Sequence, residues 1–273
     1  MMRESGRKRR ARDRVSEADP PTVSCCMFIL FEALCFTPSV MLLGWAVYYA
    51  GGFAWDGSHK QFNWHPFCMC LAMATFFSNS IVAYRIFPFH RRTRKFIHAL
   101  MHLMTLFVAL IGLTAVFLNH QRQSIPHLYS LHSWCGLAVI CLAGMQWLCG
   151  LLTFVFPLFS AGKRADFKPW HVRIGHLIFF GAIATCLIGI NEKMSFLGNH
   201  THTHSDGETI LSDLTAKHHK PAMRYSDLPN EAVLCNVIGM ILVLLAGVVF
   251  SISSQPDYTS GEKMRGFQLV SSG

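Results

Sequence analysis

Charged residues are scarce in this sequence: of its 273 residues only 14% are Asp, Glu, Lys or Arg, whereas 52% are hydrophobic. A chain so poor in charge is not an ordinary soluble domain, and disorder or a collagen-like repeat is excluded as a description of the whole. The sequence also lacks a glycine-rich phosphate-binding loop and any short-period repeat.

Long apolar runs are what the sequence has in place of charge. Six runs of about 20 residues are each long enough to cross a hydrocarbon core of ~30 Å as a helix. They are Cys25–Tyr49, Trp64–Tyr84, Phe96–Leu118, Tyr129–Phe156, His171–Ile190 and Ala232–Ser253. The sequence therefore predicts an all-α membrane protein, with six transmembrane helices in residues 25–253 between a basic tail (1–24) and a second tail (254–273). The first run is too long for the apolar core of a cleavable signal peptide, which favours a signal anchor.

Basic residues lie mostly on one of the two sides that six crossings define. Of the 24 Lys and Arg residues, 17 fall in residues 1–24, 85–95, 163–168 and the C-terminal tail. The positive-inside rule makes this side cytoplasmic and places both termini there. Topology thus accounts for the net charge of +9, and no nucleic-acid partner is expected.

Cysteine is missing from the predicted outer loops, because all ten cysteines fall within the apolar runs. No extracellular disulfide framework is therefore expected. Cys68 and Cys70 are interpreted as small apolar packing residues. Glu32, a charged residue inside the first run, is expected to make an interhelical hydrogen bond.

The longest polar stretch, residues 191–231, is predicted to be a loop on the non-cytoplasmic side. Asn199 begins an Asn-His-Thr pattern, which is a possible N-glycosylation site. Histidines in this stretch have a spacing that suits a loose iron, copper or zinc site: His200, His202, His204, His218 and His219. For so flexible a segment we predict a solvated loop without a bound metal.

Four histidines stand at the ends of the central apolar runs, where an ionisable side chain is by default a functional hypothesis. His65 and His132 begin runs 2 and 4 at the outer end, and His98 and His171 begin runs 3 and 5 at the inner end. The topology thus sorts them into two pairs matched by depth.

An antiparallel four-helix bundle of helices 2–5 places helix 2 diagonal to helix 4 and helix 3 diagonal to helix 5. A planar macrocycle with two axial imidazoles fits the slot between diagonal helices. Zinc would need three or four protein ligands, so bis-histidine haem iron is the better match. On geometry alone, His102 or His176 could replace His98 or His171, since they lie four and five residues further along the same helices.

Six short motifs surround these histidines. They are FNWHP (62–66), AYR (83–85), KFIHA (95–99), YSLHSW (129–134), PWHVRIG (169–175) and GINEK (189–193). In this order and spacing the chain resembles the cytochrome b561 family over about residues 25–255. WDGS (55–58) is similar to the animal branch of that family.

The resemblance implies a homodimer of six-helix protomers, with two b-type haems in each four-helix core. It implies that electrons pass from cytoplasmic ascorbate to monodehydroascorbate inside a vesicle, or to ferric iron outside a cell or in an endolysosome. The membrane is then the plasma, endolysosomal or secretory-vesicle membrane. The motif positions assign His65 with His132 to the outer haem and His98 with His171 to the inner haem.

The resemblance also implies the residues that contact substrates and haem. Ascorbate is an anion, so its site is expected to be cationic. The family pattern assigns Arg91, Lys95 and Arg164 to ascorbate. His120 and Gln121 fall where the family has a His-Asn pair at the outer acceptor site. Expected haem contacts are Arg85 at the inner haem, and His127, Tyr129, Ser130 and Glu192 at the outer haem.

The sequence thus predicts transmembrane electron transfer from ascorbate through two haems to an outer acceptor. A haem-binding membrane sensor or interaction protein without turnover is the alternative from another class. A solute carrier is disfavoured, because the sequence shows no broken half-helices of the transporter type.

Overall fold

The computed structural model describes residues 23–156, 158–205 and 229–254, and the side chains of residues 196–205 are outside that description. All regular structure within these ranges is helical. The six helices are α1 (Cys25–Tyr48), α2 (His59–Ile86), α3 (Arg91–Gln123), α4 (Leu131–Val155), α5 (Ala161–Ser205) and α6 (Asn230–Ser253). Each is long and apolar enough to cross a membrane, which confirms the predicted all-α fold with six spans.

Short connections and local caps fix where the helices begin. Ser24 caps α1 by accepting a hydrogen bond from the backbone N–H of Met27, and Ser130 caps α4 in a reciprocal arrangement with Ser133. We call the end that carries the connections 49–58 and 124–130 the outer end of the bundle. The end that carries the connections 87–90 and 156–160 is the inner end.

Helices α2–α5 form the predicted four-helix bundle. α2 packs against α3 and α5, and α4 packs against the same two helices. α2 therefore faces α4 across the bundle, and α3 faces α5. α1 packs on α2 and α6, and α6 also packs on α5, so these two helices cover one side of the bundle.

The interior lies between α1, α2, α5 and α6, and α2 is its most buried helix. A π-helical segment, Leu71–Phe77, widens the middle of α2. From it, Thr75 donates to the carbonyl of Cys35, one turn before Pro38 in α1. Asn79 Nδ2 donates to Glu32 Oε2 at 3.4 Å, so Glu32 makes the interhelical hydrogen bond expected of it.

The cysteines behave as the sequence indicates. All ten lie in described parts of the chain, and all ten are free thiols. Cys68 and Cys70 are buried in α2, as small apolar packing residues should be.

Three helices begin well before their apolar runs, which corrects the prediction that every paired histidine is helix-terminal. α2 begins at His59, six residues before His65, α3 begins at Arg91, seven residues before His98, and α5 begins at Ala161, ten residues before His171. His132 does stand at the start of α4, as its second residue. Hydropathy marks the part of a helix that crosses the membrane, whereas the helix continues into polar surroundings because its backbone hydrogen bonds need no apolar side chains.

The predicted loop at residues 191–231 is wrong for its first part, because α5 continues to Ser205. Glu192 therefore lies within α5 and not just past it. The backbone of Asn199, His200, His202 and His204 belongs to this helical extension. His218 and His219, like residues 1–22 and 255–273, lie outside the described residues.

Candidate functional site

The structure brings His65 of α2 and His132 of α4 together at the outer end. Their ring centroids are 5.9 Å apart and the rings are nearly perpendicular, at 89°. Both side chains are half-buried between the helices. This is the outer pair that the topology predicts, formed across the bundle by diagonal helices.

His98 of α3 and His171 of α5 meet in the same way at the inner end. Their ring centroids are 6.2 Å apart, with 68° between the ring planes. The rings of Phe154 and Phe167 lie 5.3 and 6.3 Å from His171, so aromatic side chains enclose the inner pair on one side.

Backbone carbonyls orient three of the four imidazoles. The Nδ1 atom of His65 lies 3.1 Å from the carbonyl oxygen of Gly112, that of His132 lies 3.0 Å from Thr185, and that of His98 lies 2.8 Å from Ser80. A carbonyl only accepts, so in each case Nδ1 carries the proton and donates it. Nε2 is then left with its lone pair, ready to bind a metal.

The fourth imidazole differs from the others. The Nδ1 atom of His171 is buried and has no hydrogen-bond partner among the residues that the structure describes. The backbone carbonyl of His171 instead accepts from Gln146 Nε2 at 2.6 Å, which ties this turn of α5 to α4.

Two glycines make room for the imidazoles. A Cβ atom on Gly189 would lie 2.6 Å from Cε1 of His132, and a Cβ on Gly150 would lie 2.9 Å from Cε1 of His171. Both distances are too short for carbon atoms that are not bonded. These positions therefore accept only glycine while the rings keep their places.

The two pairs fit haem iron and not a protein-caged metal ion. Imidazoles bonded at about 2 Å to one shared metal have ring centroids about 6 Å apart, which is close to both observed separations. Within the described residues, no cluster of three or more His, Cys, Asp or Glu side chains is arranged to hold a metal ion. The donor set at each end is thus two imidazoles, the set that suits a bis-histidine haem.

The alternative ligands His102 and His176 occupy different places. His176 approaches the carbonyl of Val172 in its own helix through Nδ1 and Ser253 Oγ of α6 through Nε2, so it faces away from the bundle centre. His102 lies beside His98, with 4.7 Å between ring centroids, and against Phe77. The geometry therefore favours His98 and His171 as the inner pair.

Two of the three expected ascorbate residues bind backbone carbonyls at the inner end, Lys95 one in the last turn of α4 and Arg164 one in the α4–α5 connection. Lys95 Nζ donates to the carbonyl of Phe154 at 2.8 Å, and Arg164 Nη1 donates to the carbonyl of Phe159 at 2.6 Å. Arg91 is the first residue of α3 and is exposed at this end, and Arg85 lies in the last turn of α2. The cations expected from the sequence thus share one end of the bundle with His98 and His171.

The expected outer residues form a connected cluster. Glu192 accepts hydrogen bonds from Tyr129 Oη at 2.8 Å and from Ser130 Oγ at 3.1 Å. His120 stacks on His127 and lies near Tyr129. Partial burial and the adjacent Glu192 carboxylate raise the pKa of Tyr129 to about 12. Gln121 is exposed on the last turn of α3.

Several contributors at these sites were not found from the sequence. Gly112 and Thr185 orient imidazoles through carbonyls that every residue type possesses, so the sequence carries no signal for them. Ser80 contacts His98 through its carbonyl and also through its hydroxyl, whose Oγ lies 3.2 Å from Nδ1 of His98. Gly150 and Gly189 could have been noticed as isolated glycines in apolar helices. Arg94 is buried and donates to the carbonyl of Tyr84 at 2.9 Å, although it had looked like one more positive-inside charge.

Comparison with known proteins places this architecture in a family. Residues 64–197 match the family model of eukaryotic cytochrome b561. The chain is 35% identical over 233 residues to the transmembrane ascorbate-dependent reductase CYB561 of Mus musculus, covering 85% of this chain and 84% of the relative. Identity to the protein of that name from Homo sapiens is 35% over 234 residues, with coverages of 85% and 83%.

A second group of relatives carries a different name. The chain is 39% identical over 227 residues to the lysosomal membrane ascorbate-dependent ferrireductase CYB561A3 of Bos taurus, covering 81% of this chain and 78% of the relative. Identity at this level over most of both chains, together with the six-helix bundle and its matching motifs, establishes common ancestry. The chain belongs to the eukaryotic cytochrome b561 family.

Proposed function

We propose that this chain carries electrons across a membrane, from ascorbate at its inner end to an acceptor at its outer end, by means of two b-type haems. The proposal depends above all on the pair of facing imidazoles at each end of the bundle, 5.9 and 6.2 Å apart. The relatives named as ascorbate-dependent reductases support the choice of donor.

His65 with His132 would hold one haem, and His98 with His171 would hold the other. Bound haem supplies one-electron redox chemistry, with a potential set by ligation, hydrogen bonding and burial. The Nδ1–H···O=C hydrogen bonds of His65, His98 and His132 fix the ring orientations and make Nε2 a better ligand. Within the described part of the chain Nδ1 of His171 has no such partner, so the two ends of the bundle would offer ligand sets of unequal basicity.

The two imidazole pairs lie at separate depths. His65 contacts the carbonyl of Gly112, and His98 lies fourteen residues before Gly112 in α3. At ~1.5 Å per residue the two levels are about 21 Å apart along this helix. In a hydrocarbon core of ~30 Å, each pair is then near one surface, and a donor at one end cannot touch an acceptor at the other.

The inner end is suited to an anionic donor. Ascorbate is a monoanion at neutral pH, and Arg91, Lys95 and Arg164 offer guanidinium and ammonium donors for charge-assisted hydrogen bonds. Lys95 already binds the carbonyl of Phe154, whose ring packs on His171. These three residues would orient the donor beside the inner pair, and Arg85 would lie at the inner haem, as the family resemblance implies.

The outer end is suited to the acceptor. Glu192 would supply a carboxylate, held in place by Tyr129 and Ser130, and His120 and His127 would add stacked imidazoles beside it. Gln121 would complete this surface. Ferric iron and monodehydroascorbate are the candidate acceptors, and the relatives named as lysosomal ferrireductases favour ferric iron.

The cellular setting completes the proposal. The basic residues at the inner end favour cytoplasmic termini, in a plasma, endolysosomal or secretory-vesicle membrane. A homodimer is the expected assembly. The competing hypothesis is a haem-binding sensor or interaction protein without turnover, and the cationic surface beside the inner pair favours the reductase.

Reconstitution in liposomes loaded with ascorbate, with a ferric chelate outside, tests this function. We expect the absorbance spectrum of reduced haem to appear first. Reduction of the ferric chelate outside the liposomes should follow. Vesicles loaded with buffer alone are the control. Failure of both haem reduction and chelate reduction would overturn the reductase proposal, whereas haem reduction without chelate reduction would favour the sensor.

A further inference from the structure

Three side chains join α1, α5 and α6 at the outer end. Trp45 Nε1 donates to Glu231 Oε1 at 2.8 Å, and Lys193 Nζ lies 3.7 Å from the same oxygen. Lys193 also lies over the Trp45 ring, 5.4 Å from its centroid. The side chains of Lys193 and Glu231 are 35% and 16% exposed, so solvent screens this ion pair less than it screens one on an open surface.

The ion pair is next to the proposed acceptor surface. Lys193 directly follows Glu192 in α5, and successive residues of a helix point about 100° apart. Glu192 consequently faces Tyr129 and Ser130, whereas Lys193 faces α1 and α6. One turn of α5 thus presents the Glu192 carboxylate toward the proposed acceptor surface. On its opposite side it presents the Lys193 ammonium, which Glu231 balances.

We propose that Glu231 determines the charge preference of the outer acceptor site. By balancing Lys193, it keeps the positive charge of Lys193 from offsetting the neighbouring Glu192 carboxylate beside the acceptor, which favours cationic acceptors over anionic ones. This inference rests on the proposed function of the outer end. Glu231 acts through Lys193 and does not itself touch the acceptor, and Trp45 holds the Glu231 carboxylate in position.

Removing the charge of Glu231 should reverse this preference without unfolding the site. In Glu231→Gln the amide oxygen still accepts from Trp45 Nε1, while the positive charge of Lys193 is no longer balanced. Lys193→Met should act in the opposite direction, and the double variant should return to the parental preference. Glu32→Gln also replaces a carboxylate by an amide, but thirteen residues before Trp45 in α1 and so about 20 Å away along the helix, which makes it the control.

The first measurement needs neither haem nor turnover. Ser195 is exposed and lies one turn after Glu192 on the same face of α5, so the thiol introduced by Ser195→Cys samples the local potential. The rates at which it reacts with a cationic and an anionic methanethiosulfonate reagent are compared, after subtraction of the background from the parental cysteines. Glu231→Gln should lower the ratio of cationic to anionic rates roughly three- to tenfold at low ionic strength. An unchanged ratio would overturn the proposal.

The second measurement applies the same logic to electron transfer. The acceptors are tris(phenanthroline)cobalt(III), a trication, and ferricyanide, a trianion. Glu231→Gln should raise KM for the cation and lower it for the anion with kcat little changed, and the double variant should restore both values. Salt should weaken the effect.

The combined results separate this proposal from the proposed function. A changed ratio of thiol modification rates with unchanged KM values would overturn the proposal. The acceptors would then be reduced at a surface that Glu231 does not influence. Loss of kcat with both acceptors would also overturn the proposal, by showing a merely structural role. If the parent reduced neither acceptor, the proposed function would fail, whereas the thiol rates would still decide whether Glu231 sets the local charge.

Discussion

The proposed ligands are positioned mainly by backbone carbonyls and by glycines, and the hydroxyl of Ser80 adds a side-chain contact to His98. The carbonyls of Gly112, Ser80 and Thr185 each face an imidazole Nδ1. The histidines themselves could be predicted, because imidazole is a distinctive side chain and its position along each apolar run is readable. Their hydrogen-bond partners could not be predicted, because every residue type has a backbone carbonyl.

Substitution of the two close glycines should disturb one imidazole pair each. Gly189→Ala brings a Cβ against His132 and should lower occupancy of the outer haem alone, whereas Gly150→Ala should affect only the inner haem through His171. Redox titration followed by absorbance would resolve the two components.

Gly144→Ala is the matched control, because nothing lies within 4 Å of the added Cβ. A glycine in a helix interior costs roughly 0.5–1 kcal/mol relative to alanine, so this variant should be as stable as the parent or slightly more stable. If Gly189→Ala or Gly150→Ala lowered the signals of both haems equally, the assignment of each glycine to one histidine pair would be contradicted.

Removal of the inner cations should weaken the donor step and spare the haems. Lys95→Ala and Arg164→Ala each delete one charge-assisted contact, which typically costs ~1.5–3 kcal/mol, or roughly 10- to 150-fold in apparent affinity for ascorbate. The rate of haem reduction at sub-saturating ascorbate measures this loss, and dithionite should still reduce both haems fully.

Arg92→Ala is the control for total charge, since Arg92 is an exposed cation of the same helix turn. If Lys95→Ala and Arg164→Ala reacted with ascorbate as fast as the parent, the donor site would have to lie elsewhere on the inner end.

The helices differ from their sequence signals mainly in length. The apolar run 96–118 indicates where α3 crosses the membrane, but the helix itself is Arg91–Gln123. α5 exceeds its run at both ends for the same reason. The π-helical segments Leu71–Phe77 and Leu151–Val155 also have no sequence signature in the hydropathy pattern, because they depend on packing against neighbouring helices.

The hydrogen bond between Tyr129 and Glu192 links the start of α4 to α5 and should be lost at alkaline pH. Burial and the carboxylate raise the pKa of Tyr129 to about 12, above its usual value of ~10. A raised pKa means that the stabilising contribution is complete below pH ~10 and disappears as pH rises through about 12.

Thermal denaturation of the parent and of Tyr129→Phe at a series of pH values tests this link. The difference in stability between the two proteins should be constant from pH 6 to about 9 and shrink above pH ~10. A difference that shrinks on acidification instead would show that another group controls this contact.

The arrangement of the bundle follows from topology more completely than any local detail does. Alternate crossings sort the histidines by depth, and short connections make sequential helices neighbours, so the diagonal pairs α2/α4 and α3/α5 could be deduced without coordinates. Topology alone does not choose His98 over His102, because both lie on the same stretch of α3, and the sequence makes that choice only through the KFIHA motif. In the structure the choice depends on which ring faces α5.

The number of haems bound per chain depends on the two histidine pairs, one at each end of the bundle. Two bis-imidazole sites predict about two low-spin haems per chain in a pyridine haemochrome assay calibrated by protein mass. His176→Ala is the control and should retain both, since His176 faces α6. A value near one for the parent would mean that one pair is misassigned, and His102 would be the first residue to reconsider.

Sided reduction of the two single-ligand variants tests the account most directly. In vesicles with ascorbate confined to the inner-end side, His171→Ala should lose reduction of the inner haem and, with it, reduction of an external ferric acceptor. His132→Ala should keep the inner haem reducible from that side while the external acceptor stays oxidised. The reduced-haem spectrum and the external ferrous product are recorded together. If His132→Ala blocked reduction of the inner haem and His171→Ala spared it, the order of the two sites would be inverted and the account contradicted.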